Sequence, residues 1–275
     1  MRGLMLFLFI TQYSLVSGQY YYTDLIGLQQ TQKNYEIIRK NRIKLISGTG
    51  IAAEGNVTIL SRTEIPTDGK KITRTLSENN SIKELVYQFY ELGRLKKTTI
   101  KKPGTETIIE YQYNPNGLLT TLISITKDSA SGSSISELHQ WEYSSGGTPK
   151  KMIKKTSGMD SVTIEFQTDS AGLVLEETWI KKDKKIETYY FYYNSENRIS
   201  DIVRYNTTAQ KLLPDFVFEY NDNGQLIKMI QIGLNGRNIT HWNYSYYPNG
   251  LREKEIAKDR NKSLIISTQY QFEKH

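Results

Sequence analysis

The feature that most restricts this chain is a pair of aromatic residues, two apart, followed at a fixed distance by a glycine. Tyr87-Gln88-Phe89 precedes Gly93, Tyr111-Gln112-Tyr113 precedes Gly117, and Trp141-Glu142-Tyr143 precedes Gly147. Phe218-Glu219-Tyr220 and Tyr244-Ser245-Tyr246 lead in the same way to Gly224 and Gly250. In all five the aromatics stand six and four residues before the glycine. Two units deviate: Ile164-Glu165-Phe166 reaches Gly172 with two extra residues, and Phe191-Tyr192-Tyr193 has Asn197 where glycine is expected. Asn is the replacement that best tolerates a left-handed backbone. Tyr270-Gln271-Phe272 opens an eighth unit that stops at once. Successive turn residues are 24, 30, 25, 25, 27 and 26 positions apart, the period of an array of supersecondary units.

Each unit reads as a hairpin. Side chains alternate along a strand, so the two aromatics share one face. The residue between them is polar in most copies (Gln88, Gln112, Glu142, Glu165, Glu219, Ser245), which makes the other face wet. Asn114-Pro115-Asn116-Gly117 and Asn221-Asp222-Asn223-Gly224 are turn sequences that reverse the chain. Return strands follow, as at Leu118 to Ile125. Before the repeat, Ile43 to Ile46, Val57 to Leu60 and Ile72 to Leu76 are further strand candidates, the last two divided by Asp68-Gly69. A lone hairpin is marginal in water, so neighbouring units must pair edge to edge. The expected fold is all-β, an antiparallel meander of repeated hairpins forming an extended or curled sheet. The 20 Tyr and 8 Phe suit that pleated, half-buried surface.

The first 42 residues read differently. Met1-Arg2, the apolar run Leu4 to Ile10, and Val16-Ser17-Gly18 before Gln19 have the layout of a secretory signal peptide. The apolar run is too short to span a bilayer. Over 19–42, Leu25, Leu28, Tyr35 and Ile38 recur at helical spacing, with Asp24 near the start and Arg39, Lys40 and Arg42 near the end. The expected organisation is a signal peptide over 1–18, one amphipathic helix over 19–42 packed against the sheet, and a β-repeat domain over 43–275 with units from about 84.

The units resemble the YD repeats of RHS-type proteins, whose motif runs roughly Tyr-x-Tyr-Asp-x-x-Gly-Arg-Leu. Phe89-Tyr90-Glu91-Leu92-Gly93-Arg94-Leu95 and Tyr220-Asn221-Asp222-Asn223-Gly224-Gln225-Leu226 match it best. The Asp after the second aromatic is mostly Asn here. The likeness covers about 84–272, and the chain as a whole is similar to uncharacterised exported repeat proteins of Bacteroidetes-type bacteria. That resemblance implies a location at the cell surface, in the periplasm or outside, and no activity. RHS shells that wrap a toxin have far more units, so that role is not carried over.

Little in the residues points to chemistry. Cysteine is absent, which excludes disulfides, thiolate metal sites and cysteine nucleophiles. His139, His241 and His275 are the only histidines, and none has partners at metal-ligand spacing. No phosphate loop, Gly-x-Ser-x-Gly elbow or His-Glu-x-x-His is present. We therefore expect no catalytic residue, no metal and no cofactor, and a non-enzymatic binding or structural module. The alternatives are a periplasmic carrier of lipid or another hydrophobic ligand, and a glycan-active enzyme built on two facing carboxylates. The formal charge of +7 allows an anionic partner such as a surface glycan or another polymer, with nucleic acid disfavoured. Candidate contacts are the lysine pairs Lys150-Lys151, Lys154-Lys155 and Lys181-Lys182, and Trp179 is the candidate stacking platform. Ser129, in Asp128-Ser129-Ala130, resembles a Bacteroidetes O-glycosylation site.

Overall fold

A computed structural model describes residues 19–53, 55, 58–207, 209–233 and 238–275, with no statement on the Thr58 side chain. The expected signal peptide lies outside the described residues. A π-helical segment, Tyr21–Ile26, runs directly into helix α1, Gly27–Lys40. Antiparallel strands follow. They are β1 (Ile43–Ala52), β2 (Thr58–Glu64), β3 (Lys71–Glu78), β4 (Ser81–Glu91), β5 (Arg94–Lys102) and β6 (Thr105–Tyr113). Next come β7 (Leu119–Asp128), β8 (Ser134–Tyr143), β9 (Pro149–Thr156), β10 (Val162–Thr168), β11 (Val174–Lys181) and β12 (Lys184–Tyr193). The last are β13 (Ile199–Asn206), β14 (Lys211–Tyr220), β15 (Leu226–Ile232), β16 (Ile239–Tyr246), β17 (Arg252–Lys258) and β18 (Leu264–Lys274).

Every strand pairs with its chain neighbours, and β1 also pairs with β18 from Leu45↔Glu273 to Ala52↔Ile266. The sheet is therefore a closed 18-stranded up-and-down barrel. This corrects the expected extended or curled sheet, although the antiparallel all-β class and the single N-terminal helix stand. Closure removes the two exposed edges an open meander would carry. The strand that opens the eighth unit, β18, is the one that closes the ring.

One regular turn repeats along the rim. Tyr113↔Leu119, Tyr143↔Pro149, Thr168↔Val174, Tyr193↔Ile199 and Tyr220↔Leu226 each bracket a five-residue loop. Asn114, Asp169, Asn194 and Asn221 open four of these loops and accept, through Oδ1, the backbone N–H of the fifth residue. That Asx bond is the physical content of the motif's Asp or Asn. The second aromatic latches each unit to the one before. The hydroxyls of Tyr113, Tyr143, Tyr193, Tyr220 and Tyr246 donate to the carbonyls of Leu95, Leu119, Val174, Ile199 and Leu226, at 2.6 to 2.9 Å.

Two units differ from the sequence reading. Phe166 is buried and Thr168 pairs at the loop edge, so they fill the positions six and four before Gly172, and that unit has no extra residues. In the first unit the faces are reversed: Gln88 is buried, while Tyr87 and Phe89 point outward beneath Lys71, whose Nζ lies 4.6 and 5.6 Å from their rings. The cause is turn length. Glu91↔Arg94 encloses only Leu92 and Gly93, both at positive φ, so the count from glycine back to the inward face shifts by one.

Inward residues form the core, and the helix lies among them. Tyr22 packs on Phe216 and Phe218 of β14, Tyr21 on Phe166 of β10 and Phe191 of β12, and Tyr35 stacks on Tyr90 of β4 at 4.0 Å. Gln32 donates to the carbonyl of Gly93, Arg39 to that of Thr67, and Asn41 to that of Asn249. Contacts so widely spread around the wall place the helical segment inside the barrel. The expected helix packed on one face of a sheet is instead surrounded by it. The outer wall is charged, with cross-strand pairs Lys44–Glu273, Lys97–Glu110, Lys101–Glu106, Lys151–Glu142 and Lys228–Glu219.

Candidate binding site inside the barrel

Two interior features stand out from the apolar packing. The first is a polar cluster at the start of the helical segment. The residue five positions after each turn residue forms a buried column: Thr98, Leu122, Met152, Glu177, Ile202, Met229 and Glu255. Glu177 thus stands where the units on either side carry Met152 and Ile202. Its carboxylate accepts the backbone N–H groups of Tyr20 and Tyr21, each at 2.8 Å, and the indole N–H of Trp179 at 2.7 Å. It occupies the positive end of the helical segment. Burial pushes its carboxyl up to about 7, against the pull of those three donors.

Beside it, the His139 ring lies between Asp24 of the helical segment, at 2.6 Å, and Glu137 of its own strand, at 2.8 Å. Trp141 Nε1 donates to Asp24 at 3.3 Å. Lys154 Nζ reaches Glu137 at 2.7 Å and also the Tyr20 hydroxyl, while the Tyr20 ring stacks on Trp179. Burial alone would favour the neutral imidazole, but the two carboxylates lift His139 to about 9. Burial likewise opposes ionisation of Glu137, yet His139 and Lys154 hold it down to about 2. Glu137, His139 and Trp141 alternate on one strand face, a spacing that was readable in the sequence. Asp24, the partner from the helix, was not. The ring is only 3% exposed, and through Asp24 the cluster anchors the helical segment to β8.

The second feature is a cavity of about 210 Å³ between α1 and the strands from both ends of the chain. Ile37 and Ile38 of α1, Ile46 of β1, Leu226, Leu251 and Phe272 give it apolar walls. Its charged lining is Lys33, Arg74 and Arg252, with Ser61 and Thr63 beside them, and no Asp or Glu lines it. Arg74 is held through Nη2 by Glu84 at 2.6 Å, while its buried Nε has no hydrogen-bond partner. Gln88 Nε2, Thr98 Oγ1 and Thr268 Oγ1 share that condition, and all four lie on β18 and β3 to β5, in the same sector of the wall. Of the four only Arg74 lines the cavity, and an unpaired buried donor costs about 1–3 kcal/mol, so a guest that accepts from its Nε–H is favoured. The mouth lies by the loops carrying Gly224 and Gly250, where Lys33 is exposed. No local motif marks this site, because its residues are separated by almost the whole chain.

The residues singled out from the sequence are not brought together. Trp179 is half-buried in the lumen, with Tyr20 stacked at 4.8 Å on its ring. Lys154 also faces inward, in the His139 cluster. Lys150 and Lys155 are exposed, and Lys151 pairs with Glu142. Lys181 and Lys182 both pair with Asp160. Ser129 is exposed in the β7–β8 turn, next to Asp128, whose carboxylate accepts the N–H groups of Ala130 and Ser131.

No protein-family model matches the chain, and no curated protein matches it in sequence. Among solved structures it is similar to a porin-like protein from Bacteroides uniformis, with 13% identity and a TM-score of 0.40, over 84% of this chain and 98% of that one. It is also similar to a TcdB2-TccC3-Cdc42 structure, at 11% identity and TM-score 0.35, over 79% of this chain and 15% of that one. A Tc holotoxin pore from Photorhabdus luminescens matches at 10% identity and TM-score 0.31, over 76% and 14%. Likenesses at these TM-scores carry no argument, and the functional reading rests on the chain's own residues.

Proposed function

We propose that this protein is an exported, non-catalytic binding barrel that faces water on its outer wall and takes a small ligand into the cavity beside α1. The cavity carries the reading: it joins an apolar wall to convergent donors, the usual composition of a small-molecule site. The outer wall supports it. A barrel embedded in lipid turns an apolar band outward and keeps its polar residues inside, whereas here Glu110, Glu142, Glu165 and Glu219 point outward and Tyr111, Trp141, Phe191, Phe218 and Tyr244 inward. The buried His139 favours an anchoring role over acid–base catalysis, since a catalytic imidazole must reach its substrate. The cavity is too small for a diacyl lipid, which argues against the lipid-carrier alternative.

The test is export followed by purification without detergent, then incubation with liposomes and hydrogen exchange before and after addition of small-molecule pools. The expected result is an aqueous monomer in which a bound compound slows exchange in α1, β2 and β17. Partition into the liposomes, or protection confined to other strands, would overturn the proposal.

A further inference from the structure

The cavity also indicates what kind of ligand it takes. We infer that the site binds a small amphipathic anion, a carboxylate on a short aliphatic or single-ring body, with Arg74 as its anchor; this rests on the binding reading above. Three cationic side chains line the space and no carboxylate does. The acids that balance two of them face the same interior without lining the cavity: Glu84 holds Arg74, and the buried Glu255 holds Arg252 at 3.0 Å and also acts on Arg74. An incoming anion therefore shares these guanidinium groups with Glu84 and Glu255, and the donor they leave open to it is Arg74 Nε. Arg74 Nε–H is buried and unpartnered, and Thr63 sits directly opposite Arg74 in the β2–β3 ladder. A guanidinium with a free donor edge suits a planar carboxylate, and the low-dielectric surroundings strengthen that bond.

The apolar half of the site sets the body of the ligand. Ile37, Ile38, Ile46, Leu251 and Phe272 would cover a ring or a short chain. An apolar cavity of about 150 Å³ admits benzene, so about 210 Å³ leaves room for a ring plus its carboxylate. A long acyl chain does not fit. Lys33, exposed at the mouth, adds long-range attraction but is screened by solvent.

Titration calorimetry on the full exported chain tests this with two matched pairs: benzoate against benzamide, and hexanoate against hexanamide. Wild type should bind each acid about tenfold or more tightly than its amide, the usual worth of a charge-assisted hydrogen bond. Arg74→Lys keeps the positive charge and the pair with Glu84 but lacks the Nε donor, so the acid preference should shrink. Arg74→Gln should abolish it by weakening acid binding far more than amide binding, and Arg74→Lys decides the matter if Arg74→Gln does not fold. Equal binding of acids and amides, or a preference that survives at Arg74 unchanged, overturns the anion assignment and leaves the binding reading intact. No binding by any of the four probes, or binding with exchange protection away from α1 and β2, brings down both.

Discussion

At the scale of single residues, the interior is organised by charges that an apolar column would not need. Glu177 substitutes for an aliphatic residue and, in return, fixes the first two amides of the helical segment. His139 does the same through Asp24. This arrangement has a pH signature. The folded ring titrates near 9 and an unfolded histidine near 6.5. A raised folded value means the stabilisation is fully present below about pH 6.5 and is lost as pH rises through about 9. By linkage that loss is on the order of 3 kcal/mol, borne by a ring that is almost wholly buried. Glu137 behaves oppositely: held near 2 when folded, it stabilises above its ordinary range and gives that up as pH falls towards 2. Urea unfolding of wild type between pH 7 and 9 should show falling stability, and the slope should flatten in His139→Gln. A wild-type profile as flat as the variant's over that range would show that the ring is not held charged by Asp24 and Glu137.

At the scale of elements, the hairpin unit carries more than its aromatic pair. Gly117, Gly147, Gly172, Gly224 and Gly250 all have φ between 72° and 85°, and the residue after the previous turn leans over each of them. A Cβ added at Gly172 would lie 2.7 Å from Thr148 Cγ2, and the Thr148 hydroxyl is tied to Ser144 at 2.7 Å. Gly104, in the two-residue β5–β6 turn, has nearly the same φ of 81° and open space around it. Gly104→Ala should cost about 1–2 kcal/mol for backbone conformation alone. Gly172→Ala should cost that plus roughly 1–3 kcal/mol for crowding a stiff β-branched neighbour. Equal losses in denaturant titrations would show that contact between units contributes nothing at this position. The turns, the aromatic spacing and most strand faces were legible in sequence because they depend on neighbours fewer than ten residues apart. The reversed face of Tyr87-Gln88-Phe89 was not, since it depends on a turn shorter by three residues rather than on the aromatics. Glu177 and Glu137 were not singled out in the sequence, because the partners that give them and His139 their roles, Tyr20 and Asp24, lie more than a hundred residues away.

At the scale of the whole molecule, the decisive contact joins β1 to β18. Nothing local announces it: Gly48 and Gly50 leave β1 with little side-chain pattern, and a Cβ there would stand within 3 Å of Tyr270 and Ile266 of β18, and of Ser61 of β2. The same closure assembles the cavity, because α1, β1 to β3 and β15 to β18 meet only when the ring is complete. The chain has no cysteine, so a seam cross-link can be read without interference. Thr49 and Gln269 pair across the seam, and both are exposed. Thr49→Cys with Gln269→Cys should oxidise readily within a monomer, shown by a mobility shift on non-reducing gels. The bond would close a loop of more than two hundred residues, so its entropic contribution should approach 5 kcal/mol or slightly more, reduced by any strain in the bridge. The oxidised protein should therefore unfold at higher denaturant than the same protein reduced. An open sheet would hold these two positions at opposite edges, where they could meet only between molecules. A cross-linked dimer with no internal bridge would thus refute the closed barrel, and with it the cavity that closure creates.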